Sequence, residues 1–581
     1  MVALWSGLIL GHASDTQALD GESPLNLTTY NGWSAFELVT QGNNVAAISD
    51  PGYGSTVTRG TFDGLGTYRD GDKISIAVNH ETANAAIGRV DVDRPQMRQA
   101  ILSTLDGGAT EFPSQIVTGI GYAYDRIYDG TYHAVNNPNP AAEGVPAIVT
   151  YGNNFLDRFC AGTAHLPHAF GFGRGLVEPM YLTGEETTGG KFYATDPVTR
   201  TMWEVPALGL GRWENAAQVD TGNTTHVALM LSSDVENSPG DYLRLYVGVK
   251  GLDANGDGSA DFLERNGLRG GSIYYFRPEA GASTTDLANG TVAGAWSSST
   301  IGALRENKLE DVHTNPLNGQ QLVFSDHTDG VYRLTTALRF TAGAFDPVAS
   351  AVTIQQIEPQ NALLISAPDN VAWSRNGKIF VQEDGGGYET WQINEDGGGH
   401  VRIAQSVTEP SGIIDASIEL GFLPGSVLFS SVQGTNGTSG AQLVVVISPT
   451  AQTIGPGDYN ASGTVDAADY TVWRDTLGQT TDSFAGADGD GDSQITLADY
   501  GVWKTNFGAV SPGIGAGSGL GANNLPSATV TVPEQDSWVL MAIGIAALLI
   551  FGHVARSIPR LRGVRYAGRY ESSFLTTIWY K

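Results

Sequence analysis

Cysteine is almost absent. Cys160 is the single one in 581 residues, so no intrachain disulfide can form, and stability has to come from a packed core and from bound metal. Basic residues are scarce too. Lys and Arg number 32 against 61 Asp and Glu, and the formal charge of −29 repels phosphodiester backbones, which excludes nucleic acid as a partner and favours divalent cations. Charged residues make up only 16%, and the Ala/Glu/Lys/Leu richness of a helical protein is missing. In its place stand 75 Gly and 25 Pro, the punctuation of short strands joined by turns.

From 34 to 449, short Val/Ile/Tyr/Phe runs are separated by Gly, Asn and Asp. KIFVQEDGGGYETWQINEDGGG (378–399), QLVFSDHTDGVYRLTT (321–336) and GSIYYFRPEAG (271–281) each read as strand, turn, strand. Hairpins of this size over so long a stretch suit a β-propeller, whose blades are small antiparallel sheets around a channel, better than a sandwich. The expected fold class is all-β, a β-propeller of about six blades. A small α-helical paired calcium-loop module and a C-terminal transmembrane helix are expected to follow it.

The two ends differ in character. Residues 1–13 (MVALWSGLILGHA) form an apolar run with a small-residue exit but no basic leader, a truncated signal-like segment that predicts export. After a Gly/Ser/Asn linker at 511–531, the stretch 532–562 has no formal charge from Ser537 to Ala555. Arg556, Arg560 and Arg562 then follow, as for a spanning helix with its cytoplasmic side marked. Through Val532, Pro533 and Glu534 this tail resembles a PEP-CTERM sorting signal, with Gln535 departing from the pattern. That resemblance implies a cell-surface or periplasmic protein, anchored or processed at its C-terminus.

Between propeller and linker, 457–508 contains two acidic loops. DYNASGTVDAAD places Asp458, Asn460, Ser462, Asp466 and Asp469 at positions one, three, five, nine and twelve, with Gly463 at the turn. The second, DGDGDSQITLAD, offers Asp488, Asp490, Asp492, Thr496 and Asp499. This is the oxygen-ligand spacing of calcium loops, and the near-identical helices that follow, ADYTVWRDTLG and ADYGVWKTNFG, make an internal repeat that an acidic linker would not produce. The unit resembles a type I dockerin module, which implies calcium and a cohesin-like protein partner. A third loop, DANGDGSADFLE, lies inside the large domain. Asp253, Asn255, Asp257, Asp261 and Glu264 are its candidate ligands, read as a structural calcium loop between strands.

Carboxylates recur at the ends of strand-like runs: Glu81 after KISIAVNH, Glu185 and Glu186 in MYLTGEE, Glu214 in GRWENA, Asp234 after VALMLSS, Glu310 and Asp311 in NKLEDVH, Glu383 and Asp384 in KIFVQED. One alone is ordinary turn chemistry. Around a propeller they converge on the channel and form a cation cluster. Cys160 itself reads either as a small buried hydrophobe or as a metal ligand.

VNHE, then Cys160 followed by Ala-Gly-Thr and a downstream Gly-Glu-Glu, then GRWENA, the LED before NPLNG, PDNVAWSRNGKIFVQEDGG and SGIIDAS together resemble the PhoX-type alkaline phosphatase family. The resemblance implies an iron and calcium cluster, with Fe3+ on the thiolate of Cys160 and metal ligands at Glu185 or Glu186, Glu214, Asp234 and Glu310. It implies metal-assisted hydrolysis of phosphate monoesters, with Lys308 and Asn79 as the candidate catalytic side chains. Where the family carries a phosphate-clamping arginine this chain has Lys308, which keeps the charge and loses the bidentate geometry. Two other readings stay open: a non-catalytic calcium-stabilised surface propeller for adhesion or scaffolding, and a calcium-dependent propeller esterase, lactonase or phytase-like hydrolase. In the latter His80 would be the candidate base.

Overall fold

Alternating apolar and polar residues build mostly antiparallel strands, and helix is scarce. The computed structural model describes residues 17–18, 25–42, 48–49, 60–83, 85–107, 116–131, 156–235, 241–279, 290–361, 363–434 and 440–511. The signal-like segment 1–13, the linker beyond 511 and the expected spanning helix and sorting signal at 532–562 lie outside the described residues. No helix among those described is long and apolar enough to cross a membrane.

Among the described residues, six units built on four antiparallel strands follow one another along the chain, and sheets I, II, V and VI below each add a fifth edge strand. Each begins with an inner strand and a second strand: β1 Phe62–Asp70 and β2 Lys73–His80, β3 Phe159–His165 and β4 Met180–Glu185, β5 Trp213–Val219 and β6 His226–Ser233, β7 Leu309–Thr314 and β8 Gln321–Asp326, β9 Pro368–Trp373 and β10 Lys378–Glu383, β11 Pro410–Asp415 and β12 Val427–Val432. We call these sheets I to VI. Sheets III and IV are joined at their outer edges through Thr291–Ser297.

The inner strands stand side by side in the order β1, β3, β5, β7, β9, β11 and back to β1, so the ring closes. That is the arrangement of a six-bladed propeller around an axial channel. Closure uses the N-terminal part of the chain, since Ser34–Thr40 pairs antiparallel with Gln442–Ile447 and completes sheet VI.

Each seam between adjacent sheets holds its own apolar cluster. Ile74, Phe429 and Val445 pack between VI and I, Tyr124, Phe159 and Tyr181 between I and II, and Leu182, Trp213 and Leu229 between II and III. The other three seams are filled in the same way. Trp213 is fully buried with its ring 4.7 Å from Phe192 and its Nε1–H donated to Gly190 O at 3.1 Å, so its large apolar surface is buried with no polar atom left over.

The paired loops fold as a small unit with two helices, α1 Ala467–Thr476 and α2 Leu497–Asn506, each started by a capping box from Asp466 or Thr496. The internal repeat is visible as an exchange. Trp473 of α1 donates to Thr496 O at 2.6 Å, and Trp503 of α2 donates to Asp466 O at 2.7 Å, so each helix closes the other's loop.

Candidate metal centre

Every inner strand is irregular at the same place. The pairing of β1 with β2 shifts between Phe62 and Leu65, and the equivalent shift falls at Phe159/Gly162, Trp213/Ala216, Leu309/Val312, Pro368/Val371 and Pro410/Ile413. These bulges re-aim one side chain per strand. The second residues of the six strands form a buried ring: Asp63, Cys160, Glu214, Glu310, Asp369 and Ser411. Close approach of β1 to β3 demands a glycine beside Asp63. A Cβ on Gly64 would lie 2.3 Å from Gly162 N.

Residues just past the second strands make a companion set: Glu81, Glu186, Asp234, His327, Asp384 and Gln433. From the positions just before the inner strands come Arg158, Arg212 and Lys308 on three consecutive sheets, and Glu409 on sheet VI. Arg158 holds φ of 49°, a left-handed conformation unusual for a side chain of its size.

Ligating atoms of Cys160, Glu186 and Glu214 all lie within 4.8 Å of one another, and so do those of Asp369, Asp384 and Glu409. Gln433 Nε2 faces four oxygens: Glu81 Oε2 at 2.9 Å, Ser411 Oγ and Glu409 Oε1 at 3.1 Å, and Asp63 Oδ2 at 3.2 Å. Two amide hydrogens cannot satisfy four acceptors. Arg158 bridges Glu81 and Glu186, the latter at 2.8 Å, while Arg212 contacts Glu186 at 2.8 Å and Asp234 at 3.3 Å. Lys308 pairs with Glu310.

Negative groups outnumber these three cations, and the titration behaviour follows. Burial, then the neighbouring carboxylates, pushes Asp63, Glu214, Glu310 and Asp369 well above the usual carboxylate range. Burial likewise raises Glu186 to about 8, with Glu81 and Asp234 adding to it against Arg158, and raises Glu409 to about 8 with help from Asp384. The Cys160 thiol is pushed up by burial and by Asp63 and Glu214. Glu214 Oε2 and Asp234 Oδ1 are buried without a hydrogen-bond partner. Orphaned oxygens, a thiol and crowded carboxylates fit hard cations with one softer position at sulfur.

The adjacent pair Glu185 and Glu186 is resolved by register. Glu186 faces the channel, whereas Glu185, the last residue of β4, accepts Asp157 N at 3.1 Å and Lys191 N at 3.0 Å. Glu383 at the end of β10 does the same for Ser366 N at 2.9 Å. Glu185 therefore caps backbone and is not brought to the cluster, although burial raises it to about 7. Asn79 departs from its expected catalytic role: it is fully buried and donates through Nδ2 to Cys160 O at 2.6 Å, Thr183 Oγ1 at 2.7 Å and Ala161 O at 3.1 Å, so it positions the Cys160 strand. His80 is also buried, its Nδ1 3.1 Å from Gly60 O.

Sequence reasoning overlooked Asp63, Asp369 and Glu409. The signal for Asp63 and Asp369 was an apolar or Pro residue followed by a polar or thiol residue at the head of each inner strand, in FDG, FCA, WEN, LED, PDN and PSG, and Glu409 immediately precedes the last of these.

The calcium-type loops lie apart from this centre. In the loop joining the outer strands of sheet III, Asp253 accepts Gly256 N at 2.7 Å and Gly258 N at 2.9 Å, and Glu264 accepts Ala254 N at 2.8 Å and Asp261 N at 2.9 Å. Asn255 and Asp257 sit exposed at its tip. In the paired module, Asp458 accepts Gly463 N at 2.8 Å, Asp469 accepts Asp466 N at 2.8 Å, and Asp499 accepts Gly489 N at 2.7 Å. Oxygens of Asp488, Asp490 and Asp492 converge within 4.8 Å. In the first loop Asn460 and Ser462 make a local turn, Ser462 N donating to Asn460 Oδ1 at 3.0 Å.

No protein-family model matches the chain, and no curated protein matches it either. Among solved structures it is similar to PhoX of Pseudomonas fluorescens in complex with vanadate, a transition state analogue, at 13% identity and a TM-score of 0.49, over 73% of this chain and 96% of that one. It is also similar to the periplasmic gluconolactonase PpgL of Pseudomonas aeruginosa, at 10% identity and a TM-score of 0.30, over 68% and 85%. A puromycin hydrolase follows at 13% and 0.28, over 72% and 57%. Scores this low assign no family, and the function rests on the site.

Proposed function

We propose that the channel is a multinuclear metal centre that hydrolyses phosphate monoesters. The observation that carries this reading is the placement of three cations from consecutive sheets at the ring, Arg158 and Arg212 on Glu186 of the Cys160, Glu186 and Glu214 cluster and Lys308 on Glu310 of the next sheet. A lactone is neutral when it binds and develops a single oxyanion in hydrolysis, whereas a phosphate dianion meets all three cationic side chains from the outset. Arg158 and Arg212 keep 44% and 27% of their side chains exposed, which leaves donors beyond those spent on carboxylates.

Cys160, Glu186 and Glu214 would hold one cation, iron by virtue of the thiolate, and Asp369, Asp384 and Glu409 another of calcium type. Bound there, such cations would neutralise the phosphoryl oxygens and favour in-line displacement by water. The chain's own side chains orient the ester. Lys308 meets one non-bridging oxygen as a point charge, and the two guanidiniums fix the phosphate from the neighbouring sheets. Asn79 keeps the Cys160 strand in register.

The same reading puts the protein outside the cytoplasm, with the paired loops docking a cohesin-like partner and 532–562 acting as anchor or sorting segment.

The test is hydrolysis of p-nitrophenyl phosphate, p-nitrophenyl sulfate and gluconolactone by the exported full chain and Cys160→Ala, with metal analysis of both. Phosphate hydrolysis with iron and calcium, both iron and activity lost in the variant, is the expected result. Lactone hydrolysis alone, or no hydrolysis with calcium as the only metal, would overturn it.

A further inference from the structure

A second group of carboxylates sits beside the second strand of sheet IV, apart from the ring of second-position side chains. Glu306, Asp326 and Asp329 each offer an oxygen, all within 4.8 Å of one another. They come from two segments. Glu306 lies in a short strand, Arg305–Glu306, paired with Asp241–Tyr242, while Asp326 ends β8 and Asp329 stands in the turn beyond it.

The two aspartates already organise the backbone. Asp326 Oδ2 accepts Asn307 N at 3.0 Å and Lys308 N at 3.1 Å, Asp326 Oδ1 accepts Thr328 N at 2.9 Å, and Asn307 Nδ2 donates to Asp329 Oδ2 at 2.8 Å. Glu306 is different. It is 3% exposed, and its Oε1 is buried without a hydrogen-bond partner beside the other two acids. A buried carboxylate oxygen left unsatisfied next to two further carboxylates is costly unless a cation or a proton joins them.

We infer that Glu306, Asp326 and Asp329 form a separate site for a hard divalent cation of the calcium class, tying the segment that carries Lys308 to the β8 turn. Oxygen-only donors and the half-exposed Asp329, which gives an entry path and room for water ligands, match calcium better than a thiophilic or strictly octahedral ion. Because Asp326 receives the amide of Lys308, an ion here fixes the backbone at the residue proposed to meet the phosphate, while the site itself exists whatever the channel catalyses.

The rival is a shared proton, with Glu306 held neutral, and Gln reproduces that neutral form. Glu306→Gln in the full chain is therefore decisive. Its calcium content, measured after dialysis against calcium, is expected to fall by one ion per chain, and crystals of the wild type soaked in terbium are expected to give an anomalous peak among the three carboxylates. An unchanged calcium count together with no terbium peak would overturn the site. Should Glu306→Gln fail to fold, Asp329→Asn, at a half-exposed turn position, is expected to give the same loss of one ion, and an unchanged count there counts against the site equally.

Discussion

Glu409→Gln separates the stability of the channel from its metal binding. The carboxyl lies with Asp369 and Asp384 within 4.8 Å, and burial followed by the charge of Asp384 raises it to about 8, against an ordinary value of 4.5. The sign follows from that direction. A carboxyl whose folded value is raised stabilises the fold fully below pH 4.5, and the contribution is lost as pH climbs through about 8. Over the whole interval the loss has a ceiling of about 4–5 kcal/mol, and water penetration brings the expected effect to about 2–3 kcal/mol. In chelator at pH 9, Glu409→Gln should therefore be more stable than the wild type by about 2–3 kcal/mol, and at about pH 4 the two should coincide. With calcium restored the order should invert, because a neutral amide is the weaker ligand. Urea denaturation of the full chain at both pH values, with EDTA and with calcium, reads all four conditions. A variant less stable than the wild type at pH 9 in EDTA would refute the picture of uncompensated negative charge.

Asn79→Ala removes the donor to Cys160 O, Ala161 O and Thr183 Oγ1, so we expect a loss of about 2–3 kcal/mol in thermal unfolding and a reduced iron content in purified protein. Lys308→Met should raise KM for p-nitrophenyl phosphate about tenfold, equivalent to about 1.4 kcal/mol, with Lys308→Arg recovering most of it in steady-state assays. Asp469→Ala with Asp499→Ala should abolish the calcium-dependent fluorescence change of Trp473 and Trp503, which bridge the two loops, while the channel's activity persists.

Hairpin organisation was legible from turn residues and alternating runs, and the paired acidic loops with their following helices from ligand spacing, because both are local patterns. The six-fold repeat was not. Connections of unequal length separate the inner strands, so the recurring head from FDG to PSG never falls into a fixed period. Cys160, Glu186 and Glu214 are legible through the family resemblance and stand together, whereas Asp63 and Asp369 are marked only by their place as second residues of inner strands, and Glu409 only by preceding one. Glu185 against Glu186 was undecidable from sequence, since a one-residue step in register sends a side chain to the opposite face. Asn79, adjacent to the channel motif in sequence, is turned into the wall by the same alternation.

The most direct test of a metal centre in the channel is anomalous scattering from crystals of the exported full chain, recorded on both sides of the iron absorption edge. The account predicts an iron peak in bonding contact with Cys160 Sγ and with carboxylate oxygens of Glu186 and Glu214. A channel free of iron, with Cys160 buried as an uncoordinated thiol and ions confined to the calcium-type loops, would contradict it.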